Sequence, residues 1–525
     1  MNALTTGHRA DPRVEPVLDL DEIQGNILVP FGTPFQTYLY LAFDDPAATR
    51  AWLASVIPHV PSTRALLARR RAARAGRTRA VAGLAFSSAG LDALGHRADS
   101  VLDVAFQAGL GVRSPLLGDP VEETVPGHAG HWPVGGPHNP AHALLVLGAA
   151  TRTELDEAVR GLVDGVPGAP RVLHRDHCRR LDGPGGGYEH FGYRDPISQP
   201  AVRGRISVDS DELLAPVTDP ARPDEALPGQ KRLWPGEFVF GYPTQDPVSL
   251  SAPGPTATGG PSWTANGSLL VVRRYRQDVA GFTEFVHRTS TMLIREHGMR
   301  AMTPEAVSAR LVGRWRDGTP LSLRPDGPDP VLGACPLANN DFGFTGLRGP
   351  LDDTDGRRVP LGAHIRKAYP RDHETDLETL ASIETHRILR RGLPYGPTGA
   401  DGERGLVFAC YQTSIERQFE FIVRSWLNNP YQQHGGDNHD PIVGRSNRPA
   451  AGGLRREFVF RSPSPEDGPV REVRVPVPGH FTVPDGGGYF FTPSLSALRM
   501  RREPAAPDGP SGRPDSTDPV VREQP

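Results

Sequence analysis

Hydrophobic and polar positions pass through the same order of patterns twice along this chain. The first pass opens on a strand at residues 37–43 (TYLYLAF), followed by a helical segment at 47–57. A second strand follows at 142–147 (HALLVL). The next helix carries Leu155, Val159 and Leu162 on one face, with spacings of four and three. Strand-like VLH at 172–174 ends this half. The second pass repeats the grammar with the β-branched strand 268–275 (SLLVVRRY). Its helix aligns Val279, Phe282, Val286 and Leu293. Strand 405–411 (GLVFACY) precedes a helix with Ile415, Phe419, Ile422 and Trp426 on one stripe, and YFFT at 489–492 closes the half. Two α+β units of like order predict duplicated sandwiches, each with helices packed on one antiparallel sheet.

Between the halves, 249–262 (SLSAPGPTATGGPS) reads as a linker or surface loop. The first 17 or so residues carry no periodic pattern. The segment from Arg501 is rich in Pro, Asp and Gly, and both ends are expected to be disordered. A length of 525 residues supports a large core and two or three domains. The 59 Gly and 55 Pro predict long loops. Formal net charge is only −3, so no field demands a nucleic-acid or acidic-membrane partner. Three cysteines (Cys178, Cys335, Cys410) form no CxxC pair and are too few for a disulfide framework. The opening residues show no basic start followed by an apolar stretch, and no run nears the roughly 18 apolar residues of a membrane helix. A cytoplasmic protein is the expectation.

Three segments offer chemistry. His364 in PLGAHIRKAYPRD sits between small residues and a basic stretch. A neutral imidazole suits haem iron, and Arg366 and Lys367 are placed to pair with propionates. Taken alone, such a histidine is more often a plain loop residue. Asp195 in HFGYRDPISQP suits a general acid/base, although an aspartate beside an arginine is commonly a turn residue or half of an ion pair. Arg390 in HRILRRGLPYG brings a permanent charge in a rigid fork. Strand alternation sends Arg390 and Arg391 to opposite faces, so only one reaches a given site. HRDHC at 174–178 and GHAGH at 127–131 lack the second ligand pair of a zinc site and read as structural. The run RRRAARAGRTR at 69–79 reads as a solvated helix face. No P-loop, GxGxxG fingerprint or GxSxG elbow is present.

Taken together, these segments stand in a family order. DEIQGNIL at Asp21, FGYRDPISQP at Phe191, PGEFVFGYP at Pro235 and NGSLLVVRRYRQD at Asn266 begin it. LVGRWRDGTPL at Leu311, PLGAHIRKAYPRD at Pro360 and HRILRRGLPYG at His386 continue it. GLVFACYQTSIERQFEFIVRSW at Gly405, DPIVG at Asp440 and GGYFFTPSLSALR at Gly487 complete it. In this the chain resembles the dye-decolourising (DyP-type) peroxidases, its larger members in particular.

The resemblance implies two ferredoxin-like α+β domains of the dimeric α/β-barrel-like superfamily, at 18–245 and 265–500, flanked by 1–17 and 501–525 and joined through 246–264. It implies one haem b per chain, hydrogen peroxide as oxidant, and dyes, phenols or other aromatic one-electron donors as reductants, through a ferryl intermediate. By motif, His364 matches the proximal iron ligand, Asp195 the distal aspartate of GxxDG, Arg390 the distal arginine, and Leu406 and Phe408 the apolar residues over the distal face. Asp440 is the candidate acceptor for the other nitrogen of His364, with Glu416 and Glu420 as competitors. Trp315, Trp426, Tyr369, Tyr395 and Tyr411 are candidate electron relays. Pro196 departs from the motif's final glycine, which puts the aim of Asp195 in question and keeps a haem-handling protein with little turnover as the rival reading. Oligomeric state and encapsulation are not legible in the sequence.

Overall fold

The computed structural model describes residues 15–73, 79–95, 101–183, 186–210, 212–348, 352–375, 378–399, 402–432, 439–445, 456–462, 471–477 and 479–499. The tail from Arg501, the first fourteen residues and part of the basic run at 69–79 lie outside the described residues. Residues 15–17, expected to be disordered, are instead tied down. The buried Glu15 carboxylate accepts hydrogen bonds from Arg203 and Arg232, and Val17 bridges Arg205.

Among the described residues, four strands of each half build the barrel, and a ninth, two-residue strand flanks the second half. The first four are β1 (Phe35–Ala42), β2 (Val81–Phe86), β3 (Ala143–Ala149) and β4 (Arg171–Arg179). The second four are β5 (Ser268–Gln277), β6 (Leu393–Tyr395), β7 (Gly405–Gln412) and β8 (Thr482–Thr492). The first half runs β4–β1–β3–β2 and the second β6–β7–β5–β8, all antiparallel. Counted within each half, that is the same spatial order 4-1-3-2, the ferredoxin-like arrangement predicted above. The two sheets do not stay separate. Tyr395 pairs with Cys178 and Phe491 with Phe86, and these two contacts close one barrel from the two halves. Closure leaves no long open edge, the usual liability of a sheet.

Alternation then sorts side chains into two cores. Tyr38, Tyr40, Val146, Val272, Val407 and Phe490 fill the lumen. Leu39, Leu41, Leu145, Val271 and Phe491 face outward, under the helices. Fully burying one such aliphatic side chain contributes about 1.5–3 kcal/mol, so the outer face fixes where helices land. Helix α1 (Pro46–Val56) contributes Trp52, Leu53 and Val56, and α2 (Arg152–Leu162) contributes the predicted Leu155, Val159 and Leu162. Their starts are encoded locally. The Asp45 carboxylate accepts from the backbone N–H of Ala47 and Ala48, and the Thr151 hydroxyl from that of Glu154. Helix α3 (Val279–Arg295) buries Phe282, Phe285, Val286 and Leu293 in a separate cluster with Phe191 and Tyr193.

The stretch 246–264 is ordered: Pro253–Thr256 pairs antiparallel with Pro243–Gln245, and Trp263 and Thr264 are buried. The predicted helix after β7 is present, but Ile415–Glu420 and Ile422–Leu427 are wound as π-helix. Its four predicted residues are nonetheless buried.

Candidate active site

The outer face of the second sheet carries the site. On β7, Leu406 and Phe408 point outward while Val407 and Ala409 line the lumen, as two-residue spacing requires. Arg390 lies opposite Cys410 on the same outer face, in a short strand piece, Leu389–Arg390, that runs beside β7. Arg391 turns inward and gives its donors to the carbonyls of Asn26, Ile27 and Arg390. The predicted split of the arginine pair is therefore observed. Gly392 makes the local geometry possible. A Cβ there would lie 2.3 Å from the carbonyl oxygen of Val407, so only glycine lets the strand resume as β6.

Asp195 reaches Arg390 from the other half of the chain. Arg390 Nη1 donates to Asp195 Oδ1 at 2.7 Å and Nη2 to the Ser198 carbonyl at 2.9 Å. Gln199 clamps the same arginine's backbone, accepting its N–H and donating to its carbonyl, both at 3.1 Å. The loop bearing Asp195 is held from behind. Phe191 packs 4.7 Å from Phe282 of α3, and the Tyr193 hydroxyl donates to the Ser308 carbonyl at 2.7 Å. Glu189 folds the turn by accepting from the N–H groups of Phe191 and Tyr193, with Gly192 at φ 89° between them. The Asp195–Pro196 peptide is cis, and the aspartate stays paired with Arg390 despite the proline.

His364 opens the short helix α4 (His364–Ala368). Its Nδ1 lies 2.6 Å from Oδ2 of Asp440, a carboxylate with no exposed surface. The other Asp440 oxygen accepts N–H groups from Ile442 at 2.7 Å and Val443 at 2.8 Å. Burial alone would push the imidazole pKa down, but the Asp440 carboxylate more than reverses this and the net shift is upward. Burial likewise opposes ionisation of Asp440, yet His364 and the two backbone donors hold it below the ordinary carboxylate range. A carboxylate acceptor fixes Nδ1 as the protonated nitrogen and leaves Nε2 as the lone-pair nitrogen. The charges of Arg390 and Asp195 are both felt at this imidazole. Glu416 and Glu420, the competing acceptors, are bound to Arg113 instead, and Glu420 also accepts from the Tyr489 hydroxyl at 3.0 Å.

Arg366 goes elsewhere. Its guanidinium is fully buried, its Nη1 and Nη2 give to Asp353, the Val359 carbonyl and His373, and it stacks over Phe344 at 4.5 Å. These contacts make Arg366 part of a structural ion pair. Lys367 is buried too, with Nζ on the Asn429 carbonyl. The aromatic relay candidates are interior: Trp315, Trp426, Tyr395 and Tyr411 are buried, and the Tyr369 hydroxyl donates to Glu384 under the Arg387 guanidinium. Sequence reasoning missed Gln199 and Glu189. Both stand inside or beside the FGYRDPISQP segment, but a neutral amide and a turn carboxylate have no spacing signature.

These groups fit a haem. An imidazole with one nitrogen held by a carboxylate and the other uncommitted would hold the iron, and the carboxylate–guanidinium pair with the apolar strand face would border the bound group.

Comparison with known proteins gives the family. Residues 22–170 match the DyP dimeric alpha+beta barrel domain and residues 336–440 the C-terminal domain of Dyp-type peroxidases. The chain is 31% identical to dye-decolorizing peroxidase msp1 of Mycetinis scorodonius, over 92% of its own length and 87% of the relative's. It is 30% identical to the multifunctional dye peroxidase DyP2 of Amycolatopsis sp., covering 91% of this chain and 95% of that one. Among solved structures, an ancestral D-type dye-decolorizing peroxidase superposes with a TM-score of 0.74 at 32% identity, over 92% of this chain and 99% of that one. On this similarity and this architecture, the chain belongs to the DyP-type peroxidase family.

Proposed function

We propose that this protein is a haem peroxidase that reduces hydrogen peroxide and oxidises dyes and phenols, with His364 as the iron ligand and Asp195 and Arg390 as the groups that handle peroxide. The observation that carries it is the 2.6 Å contact of His364 with buried Asp440 on the same site as the 2.7 Å Asp195–Arg390 pair. Bound haem supplies the redox equivalents. Asp440 keeps the proton on Nδ1 and strengthens Nε2 as a donor. Asp195 removes a proton from one oxygen of peroxide and returns it to the other. Arg390 offsets the negative charge that grows as the O–O bond breaks. Leu406 and Phe408 keep that face apolar and exclude water. The reductant class is supported by a similar solved structure, 26% identical, described in complex with 2,6-dimethoxyphenol.

Haem b, one per chain, is part of the proposal, because the sequence has no Cys-x-x-Cys-His for covalent attachment and His364 is the only histidine assigned to iron. A boundary at 246–264 is supported by the four barrel strands on each side of it. A cytoplasmic location is supported by three free cysteines, and among the described residues no helix is long and apolar enough to cross a membrane. Absorption spectra of the hemin-supplied protein, before and after peroxide, test the reading. A Soret band lost in His364→Ala and a peroxide-induced spectral change in the native chain are expected. A colourless native protein, or a Soret band that survives in His364→Ala, would overturn the assignment.

A further inference from the structure

A cavity of about 470 Å³ is lined by Asp195 and Arg390 and not by His364. Hydrogen peroxide, roughly two water shares or ~60 Å³, needs far less room. The walls are unusual in charge. Arg70, Arg180, Arg194, Arg390 and Arg391 line the cavity, against the carboxylates of Asp195 and Glu189. Asp195 is already paired with Arg390. Glu189 is turned to the N–H groups of Phe191 and Tyr193 and to the Gln277 amide. Among the described residues, Arg180, Arg194 and Arg391 have no carboxylate within ion-pair distance. Arg194 gives one donor to the Gly333 carbonyl, and Arg391 spends its donors on carbonyls as described above. A concave wall with excess positive charge focuses its field inward and concentrates anions. Leu28, Leu393, Pro394 and Leu406 add apolar surface to the same cavity.

We propose that this cavity admits organic hydroperoxides bearing a carboxylate, with the peroxide end at Asp195 and Arg390 and the anionic end among Arg70, Arg180 and Arg194. The inference rests on the peroxidase reading above and extends its oxidant class. An anionic reductant would use the positive wall equally well, but it has no need of a cavity that converges on the peroxide-handling pair. The reaction balances as ROOH plus two protons and two electrons giving ROH and water. The O–O bond breaks, the alkoxide oxygen leaves protonated as the alcohol, and the other oxygen is reduced to water by electrons from two one-electron donors.

The test compares cumene hydroperoxide with its 4-carboxylate, using full-length haem-loaded protein, one common phenolic reductant and low ionic strength. The carboxylate should react about tenfold faster or more, an effect of the size that charge-focusing clefts give. The advantage should fall below about twofold in 0.5 M salt, where the Debye length is a few ångströms. It should fall likewise in the Arg70→Glu/Arg180→Glu variant, whose two sites are exposed. Equal rates at low salt, or an advantage that survives both salt and charge reversal, would overturn the inference. Hydrogen peroxide is measured alongside. Turnover of hydrogen peroxide but of neither organic hydroperoxide overturns this inference alone, whereas no turnover of any peroxide overturns the peroxidase reading with it.

Discussion

Asp195 and Asp440 are both aspartates near one imidazole, and their surroundings divide the work between them. Asp440 has no exposed surface and three hydrogen bonds, so it is fixed as an anion that orients His364. Asp195 is 37% exposed and bound to a single side chain, Arg390, so its carboxylate stays open to a small molecule entering the cavity. Replacing Asp195 by Asn keeps shape and removes the proton-transfer group. Haem binding should be retained and the peroxide reaction slowed by about 10²–10⁴-fold, the range of general acid–base catalysis. Stopped-flow mixing with peroxide measures it, and an unchanged rate would remove Asp195 from the mechanism. Asp440→Ala strikes the other side. Loss of the acceptor should weaken haem affinity about 10–100-fold, read by hemin titration, and shift the Soret band of what remains bound. A variant that binds hemin as tightly as the native chain would make Asp440 a bystander.

At the scale of elements, the site depends on how strands and turns are interrupted. Gly392 sits where the chain crosses the Val407 carbonyl, and any Cβ must displace that backbone. Gly392→Ala should lower stability by about 1–3 kcal/mol through overpacking and weaken haem retention, because Arg390 and β6 flank the position. Differential scanning of holoprotein melting checks both effects at once. Glu237 gives a pH-dependent counterpart. It is buried behind the turn before Thr413, takes the Gln245 N–H and pairs with Arg417. Burial nevertheless pushes its carboxyl up to about 7. A raised folded-state value means the unfolded chain loses its proton first, so stability from this group is full below about pH 4.5 and declines as pH rises toward 7. Glu237→Gln should flatten that part of the stability curve. Urea unfolding at pH 4.5 and 7 compares the slopes, and identical slopes in the two proteins would sink the account.

The same elements explain what the sequence disclosed. β1 was legible from its apolar run, and α1 and α2 have local start signals, Asp45 ahead of α1 and Thr151 ahead of α2. β2 was not, because VAGLAF mixes small and apolar residues without alternation, being buried on both faces. β6 is three residues, preceded by Gly392 and holding Pro394, too short for any periodic signal. His364, Asp195 and Arg390 were legible through their motifs, and the structure draws Asp195 to Arg390 across 195 positions of chain. Arg366 was grouped with His364 by adjacency alone, and its pairing with Asp353 has no signature in the sequence.

For the whole molecule, the decisive feature is that neither half completes its own sheet. Each joint between them is a single residue pair in the ladder, Tyr395 with Cys178 and Phe491 with Phe86, which no sequence pattern announces. Such thin seams would hold poorly by hydrogen bonds alone. Packing joins the halves, and in the lumen Tyr38, Leu144 and Val146 from the first share one cluster with Leu270, Val272, Val407 and Phe490 from the second. A cavity cut on one side of that cluster must therefore be felt on the other. Leu144→Ala, wholly within the first half and on the lumen face of the barrel, should cost about 2–5 kcal/mol. The loss should appear equally in far-ultraviolet circular dichroism and in Soret absorbance during thermal unfolding, as one coincident transition. If the Soret transition stays in place while the dichroism splits into two steps, the halves unfold independently and the shared lumen does not couple them.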